Sequence, residues 1–208
     1  MNTTAIKTNR ELFLEKLAPY ISAFGMERIY NAYMFAKYGH RGQERSGGGR
    51  YFEHPRAVTE IIIDELGIMN DWRIIATALL HDVIEDTWLL TPKLAKRIFG
   101  KDVALWLSFL TRNEDHSGNE FEKYMENIAN SGIWQVVLIK ICDRIHNLRT
   151  METMETEWCK TYLFKTEKYF YDLAKILIKI APPELTEKMV MAEKLLIEEI
   201  NNVKKVLA

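Results

Sequence analysis

The chain has 208 residues, 48% of them hydrophobic, with five Trp and nine Phe; that composition suits one domain with a substantial core and excludes both global disorder and two ordinary enzyme domains side by side. Its 28 basic side chains nearly cancel its 29 acidic ones, which argues against a nucleic-acid partner held by bulk charge. Two cysteines, Cys142 and Cys159, are too few for a disulfide scaffold or a Cys-rich zinc site, residues 1–10 lack an apolar signal core, and the most apolar run, 133–142, is interrupted by Gln135 and Lys140 and is far too short to span a bilayer, so a cytoplasmic protein without membrane contact is expected.

Ten Gly and five Pro punctuate the chain, and its long segments carry a 3.6-residue period rather than strand alternation. In chain order, Tyr30, Tyr33, Met34 and Lys37 fit a helix that ends near Gly39. The stretch 54–66 starts with Pro55 in a first turn and stops at Gly67. Asp71 caps a helix over 72–84. Thr91-Pro92 opens another, closed by Gly100, and 101–110, 119–129 and 133–149 continue the series. Two long helices follow, over 155–180 and 183–206, separated by Pro182-Pro183. The fold class is all-α.

One loop, 40–51, holds four glycines together with Arg41, Arg45 and Arg50, and Arg56 follows it. Glycines let backbone approach a ligand closely, and arginines supply planar forks for phosphate; a solvated surface loop would look the same. More informative is His81-Asp82-Val83-Ile84-Glu85-Asp86, at the end of a helix that Trp72, Ile74, Ile75 and residues 78–80 place in the core. Buried imidazole and carboxylate need a partner, and a divalent cation is one; this donor pair suits Mn, Fe or Zn better than Ca or Mg. His54 at one helix start and Asp143 within another apolar helix complete a mixed N/O set of four, which would leave coordination positions for water and substrate. Each residue also has a plainer reading: His54 as a packed or capping residue, Asp143 with Arg144 as a surface ion pair, His81 with Asp82 as a buried hydrogen-bonded pair.

The order His54, His81-Asp82, Asp143 resembles the HD superfamily of metal-dependent phosphohydrolases. His40-Arg41-Gly42-Gln43-Glu44-Arg45 with Tyr51 and His54-Pro55, "HDVIEDT" at 81–87 and "DRIHNLRT" at 143–150 are similar to three signatures of the RelA/SpoT hydrolase domain. The resemblance covers about 27–179. It implies an HD-domain helical bundle of about ten helices, with 1–208 as one domain: a motif-bearing core over about 27–180 and a C-terminal helix over about 183–206. It also implies a stand-alone small alarmone hydrolase, a (p)ppGpp 3′-pyrophosphohydrolase that uses one Mn²⁺ per chain and yields GDP or GTP with pyrophosphate.

Carried over residue by residue, the resemblance makes His54, His81, Asp82 and Asp143 the metal ligands and Glu85 and Asp86 the catalytic acidic pair. These two follow the His-Asp pair closely enough to reach water activated by the cation, and acidic residues there sit badly against the negative end of a helix dipole. Arg45 takes the position that packs on guanine; Asn147 and Thr150 take nucleotide-contacting positions. Tyr169 is a further candidate for packing against the nucleoside. His146 is expected beside the ligands rather than among them, and His40 is expected to be structural. Ser46 stands where the family often has a basic residue and Arg50 where it usually has proline; Arg50 either restores the lost charge or marks a different phosphate arrangement. Another phosphorylated nucleotide or dinucleotide cofactor as substrate, or a non-catalytic nucleotide-binding module, stays open at this point. The aromatic segment 162–171 is a candidate surface for a homo-oligomer.

Overall fold

The computed structural model describes residues 7–112 and 120–207. His116 and the start of the helix expected over 119–129 lie outside them. Ten α-helices are formed among the described residues: α1 Asn9–Leu17, α2 Ala23–Gly39, α3 Glu53–Glu60, α4 Trp72–Leu80, α5 Val83–Asp86, α6 Pro92–Leu110, α7 Glu120–Asn130, α8 Trp134–Arg149, α9 Thr156–Ile180 and α10 Thr186–Leu207. No strand forms among these residues; one antiparallel bridge joins Glu44 to Arg50. Among them, too, no helix is long and apolar enough to cross a membrane.

The expected caps are present. The Asp71 side chain accepts from the Arg73 N–H and the Thr91 hydroxyl from the Leu94 N–H, satisfying donors that a helix start leaves orphaned. Gly100 interrupts α6 with φ 85°, so the two segments expected there join across a kink. Three departures from the sequence reading have physical causes. Residues 54–66 are not one α-helix: α3 passes into a π-helical turn, Ile61–Glu65. Ile61 and Ile62 enter one hydrophobic cluster and Ile63 the other, so three consecutive isoleucines are all buried. The expected helix 72–84 breaks after Leu80, because the His81 imidazole takes the Ala78 carbonyl (Nδ1–O 2.8 Å) that a continuing helix would offer to the Asp82 N–H. The amphipathic signal of α1 is weak and its presence went unpredicted; its capping box, with Thr8 and Glu11 bonding each other's backbone N–H, was the readable mark.

Two apolar clusters build the core. One gathers α1, α2, much of α4 and the first part of α6; the other gathers the π-turn, the end of α6 and α7 to α10. Helix α4 lies between α2, α3 and α6 and also touches α8. Every residue from Ile74 to Leu80 is buried, as expected of a helix apolar on all faces. Leu79→Ala should therefore cost about 3 kcal/mol of stability through lost burial and the cavity left behind, which denaturant unfolding would read. Both cysteines are buried free thiols. Of the aromatic segment 162–171, Phe170 is fully buried, Tyr162 and Tyr169 pack against the core, and Phe164 is exposed.

Candidate metal centre

Contacts of α3 with α4 and α8, and of α4 with α8, bring three chain segments together. His54 comes from the first turn of α3, His81 and Asp82 from the break between α4 and α5, and Asp143 from the middle of α8. One ligand atom from each of His54, His81 and Asp143 lies within 4.8 Å of the others. Asp82 Oδ2 is 3.2 Å from His81 Nε2 and 3.5 Å from His54 Nε2; Asp143 Oδ1 is 3.2 Å from His54 Nε2. Both histidines are about 98% buried. Two of the plainer readings fail, since His54 makes no helix cap and Arg144 turns away from Asp143 into a cage of Tyr162 and Phe170, 3.9 and 4.3 Å from the ring centroids; His81 and Asp82 do pair, at 3.2 Å.

The donors fit a cation. Because His81 Nδ1 donates to the Ala78 carbonyl, its Nε2 faces the carboxylates, and that buried atom has no hydrogen bond. Only a proton on Nε2 or a cation beyond it makes the pairing with Asp82 favourable. His54 is oriented in the same manner, its Nδ1 lying 2.7 Å from Nδ1 of His146. Burial, with His54 and Arg45 nearby, holds the His146 pKa at about 3, so His146 is neutral, and in the tautomer in which its Nδ1 accepts from His54 Nδ1–H the His54 Nε2 is free as a ligand. His146 thus stands beside the cluster, as expected. Lys140 donates to Asp143 Oδ2 (2.9 Å). Burial opposes its charge, but Asp143 and Tyr124 together outweigh burial and keep the lysine pKa high.

Burial also opposes the charges on Asp82 and Asp143. For Asp82 the histidines His81 and His54 together, and for Asp143 Lys140 with His54 and His81 together, outweigh it and hold both carboxyls below the usual range. For His81 burial is outweighed by Asp82 first, lifting its pKa to about 9. A cation would have to displace that proton. Metal binding near pH 7.5 should therefore release about one proton per ion, and affinity should rise with pH until about 9. Calorimetric titrations in buffers of different ionisation enthalpy would measure it.

The acidic pair separates. Asp86 Oδ2 and Asp82 Oδ2 each lie 2.9 Å from the Tyr51 hydroxyl, so Tyr51 links the pair to the cluster. Tyr51 is itself stacked on His40 (4.6 Å), whose Nδ1 meets Gln43 Oε1 at 2.7 Å. Burial and the Asp82 charge raise the Asp86 pKa. Glu85 is held elsewhere: Arg112 donates to it from its backbone N–H (2.9 Å), Nε (2.9 Å) and a terminal nitrogen (2.6 Å).

Arg45, Asn147 and Thr150 come together. Arg45 donates to Asn147 Oδ1 (2.7 Å) and Thr150 Oγ1 (3.3 Å), and Asn147 in turn donates to Asp143 Oδ1 (2.7 Å). They line a cavity of about 250 Å³ with Ser46, Gly47, Tyr51, Trp158 and Tyr162. The loop reaches this position through its glycines: Gly48 and Gly49 take φ of 87° and 82°, letting the Arg45 N–H meet the Gly49 carbonyl (3.1 Å). A Cβ on Gly47 would lie 2.5 Å from Thr153 Oγ1. Tyr169 is not among the lining residues; it packs on Phe121. Arg50 pairs with Glu53 and does not line this cavity, so it does not restore charge beside Ser46.

Sequence reasoning gave no site role to Lys140, Arg112 or Trp158, quoted Tyr51 only within a signature, and read Tyr162 only as part of a candidate oligomer surface. Lys140 was readable in principle, three residues before Asp143 on one helix face, as was the Trp158/Tyr162 pair, stacked at 4.8 Å. Nothing local marks Arg112, whose partner is 27 residues away.

The HD domain family model matches residues 32–177. The chain belongs to the HD domain family. Within it, the HD domain here is 32% identical over 164 residues to the bifunctional (p)ppGpp synthase/hydrolase SpoT of Escherichia coli, covering 74% of this chain and 22% of that protein. It is 37% identical over 150 residues to the guanosine-3′,5′-bis(diphosphate) 3′-pyrophosphohydrolase of Haemophilus influenzae, covering 68% and 21%. The chain thus spans about a fifth of the length of these curated relatives. Its HD fold also superposes on the solved structure of a metazoan ortholog of SpoT that hydrolyses ppGpp and plays a role in starvation responses. The TM-score is 0.64 at 26% identity, over 87% of this chain and 96% of that one.

Proposed function

We propose that this HD domain is a metal-dependent (p)ppGpp 3′-pyrophosphohydrolase. The observation that carries the reading is the bond pattern of Asn147, which accepts from Arg45 and donates to Asp143 and so links the cavity wall to the His/Asp cluster. The named activities of the bacterial relatives and of the metazoan SpoT ortholog support the choice of substrate.

In this reading His54, His81, Asp82 and Asp143 hold one Mn²⁺. A divalent cation there supplies Lewis acidity, lowering the pKa of water and offsetting phosphate charge. The chain's own groups do the rest. Arg45 stacks on guanine, with Asn147 and Thr150 fixing the nucleotide and Trp158 and Tyr162 walling the pocket. Asp86, its pKa raised, takes the proton of the attacking water. Water attacks the phosphorus bound to ribose O3′, the P–O3′ bond breaks, the 3′ oxygen takes up the proton that Asp86 accepted from water, and pyrophosphate leaves. Glu85 is the second member of the acidic pair, held by Arg112.

The test is to incubate the protein with ppGpp, with and without Mn²⁺, and resolve products by anion exchange. Mn²⁺-dependent release of GDP and pyrophosphate is expected. Metal binding without turnover would move the proposal to another phosphorylated nucleotide. Arg45→Ala should raise KM for ppGpp by roughly 10- to 30-fold with little change in kcat, the size of one cation–π contact on a base; an unchanged KM would remove Arg45 from the pocket.

A further inference from the structure

The arginines of the Gly/Arg loop that the site does not use lead to a second cavity. It measures about 260 Å³ and is lined by Thr8, Asn9, Arg10, Tyr33, Lys37, Arg50, Phe52, Glu53 and Arg56; none of these lines the pocket around Arg45. Four cations meet there. Arg50 pairs with Glu53, and Arg56 with Glu53 and Glu60. Arg10 has only a thioether and a ring as partners, Met34 Sδ at 3.7 Å and Tyr30 at 5.5 Å, and Lys37 has no ion-pair partner among the described residues. Glu53 and Glu60 thus pair with Arg50 and Arg56, while Arg10, which feels the more distant Glu11 carboxylate, and Lys37 form no ion pair among the described residues.

A second feature points to a ligand. Tyr33 lines this cavity yet is 98% buried, and its hydroxyl has no hydrogen-bond partner among the described residues. Burial raises its pKa, so it remains a donor. The small part of Tyr33 that stays accessible lies on this cavity wall, so its hydroxyl stands as an unpartnered donor at a cationic surface. The start of α1 does not supply the missing partner, because Thr8 and Glu11 already cap it.

We propose that this cavity is a second anion site, separate from the metal centre, that takes a compact phosphate-type oxyanion. The chemistry favours a tetrahedral anion over a carboxylate, since arginine forks, an ammonium and a hydroxyl converge from α1, α2, α3 and the loop and need oxygens pointing in several directions. Inorganic pyrophosphate and the terminal phosphates of a nucleotide share that chemistry.

The test titrates pyrophosphate, and separately GTP, into the metal-loaded full chain by calorimetry, comparing wild type with Arg10→Gln/Lys37→Gln and with Tyr33→Phe. The double variant is expected to bind one pyrophosphate fewer than wild type, and Tyr33→Phe to weaken that equivalent severalfold. Neither variant touches the metal cluster or Arg45, so kcat on ppGpp should stay at the wild-type level and report an intact fold. Loss of a GTP equivalent as well assigns the site to nucleotide phosphates; loss of pyrophosphate alone assigns it to the free anion. Equal stoichiometry and affinity in wild type and double variant would overturn the proposal, and this outcome is independent of whether ppGpp is the substrate.

Discussion

Asp82→Ala is expected to remove hydrolysis of ppGpp while leaving the helical fold in place. Asp82 Oδ2 faces both histidines of the cluster at 3.2 and 3.5 Å, so its loss removes one donor and the charge that makes the centre attractive to a cation. Lewis-acid assistance is worth several kcal/mol, so the turnover lost is on the order of 10³-fold or more. The fold should survive because Asp82 sits at a break between helices and belongs to neither hydrophobic cluster. A second consequence follows in the metal-free protein. Asp82 is the main group lifting the His81 pKa, so in the variant that pKa should fall. A folded-state pKa above the unfolded value gives stability that is full below about 6.5 and lost as pH rises to about 9; the variant should lose that pH dependence. Dialysis against Mn²⁺ followed by metal analysis, with circular dichroism melts from pH 6 to 9, would check both. Wild-type metal content with wild-type turnover would remove Asp82 from the ligand set.

Much of this architecture could be read along the chain because its signals are local. The caps at Asp71 and Thr91, the stop at Gly67 and the break at Pro182-Pro183 act over a few residues, and each lies where the pattern placed it. What escaped depends on competition or distance. The break after Leu80 arises because one imidazole outcompetes a backbone N–H, and periodicity is blind to that. The π-turn follows from two separate clusters each claiming part of Ile61–Ile63, a tertiary fact.

The site divides along the same line. His54, His81, Asp82 and Asp143 were chosen because buried polar residues at the ends or middles of apolar helices need a partner; the fold gathers His54, His81 and Asp143 within 4.8 Å of one another and sets Asp82 Oδ2 at 3.5 and 3.2 Å from the two histidines. The partners of those residues were harder to see. Tyr51 earns its place through Asp82 and Asp86, 31 and 35 residues away, and Arg112 through Glu85. Arg50 was legible as a cation near a glycine-rich loop, but its direction was not: the turn through Gly48 and Gly49 sends Arg45 to one cavity and Arg50 to another.

Asp86→Asn should lower kcat by roughly 10²- to 10³-fold, the range for losing a general base, with metal content unchanged. Asp86 is no metal-cluster member; it meets Asp82 only through the Tyr51 hydroxyl, and one O–H proton serves only one of the two carboxylates at a time. Burial and the Asp82 charge raise its pKa. A base must be deprotonated, so activity should fall as pH drops through that raised value, and this acid limb should vanish in the variant. The same shift has a cost in stability. A carboxyl that binds its proton more tightly when folded than when unfolded destabilises the protein at neutral pH and is relieved on acidification. Asp86→Asn should therefore unfold at slightly higher denaturant at pH 7 and lose that advantage toward pH 4. A variant slower in catalysis yet more stable at neutral pH is the signature of a residue held in an unfavourable setting for its chemistry. Equal losses of stability and rate would instead make Asp86 a structural support for Tyr51.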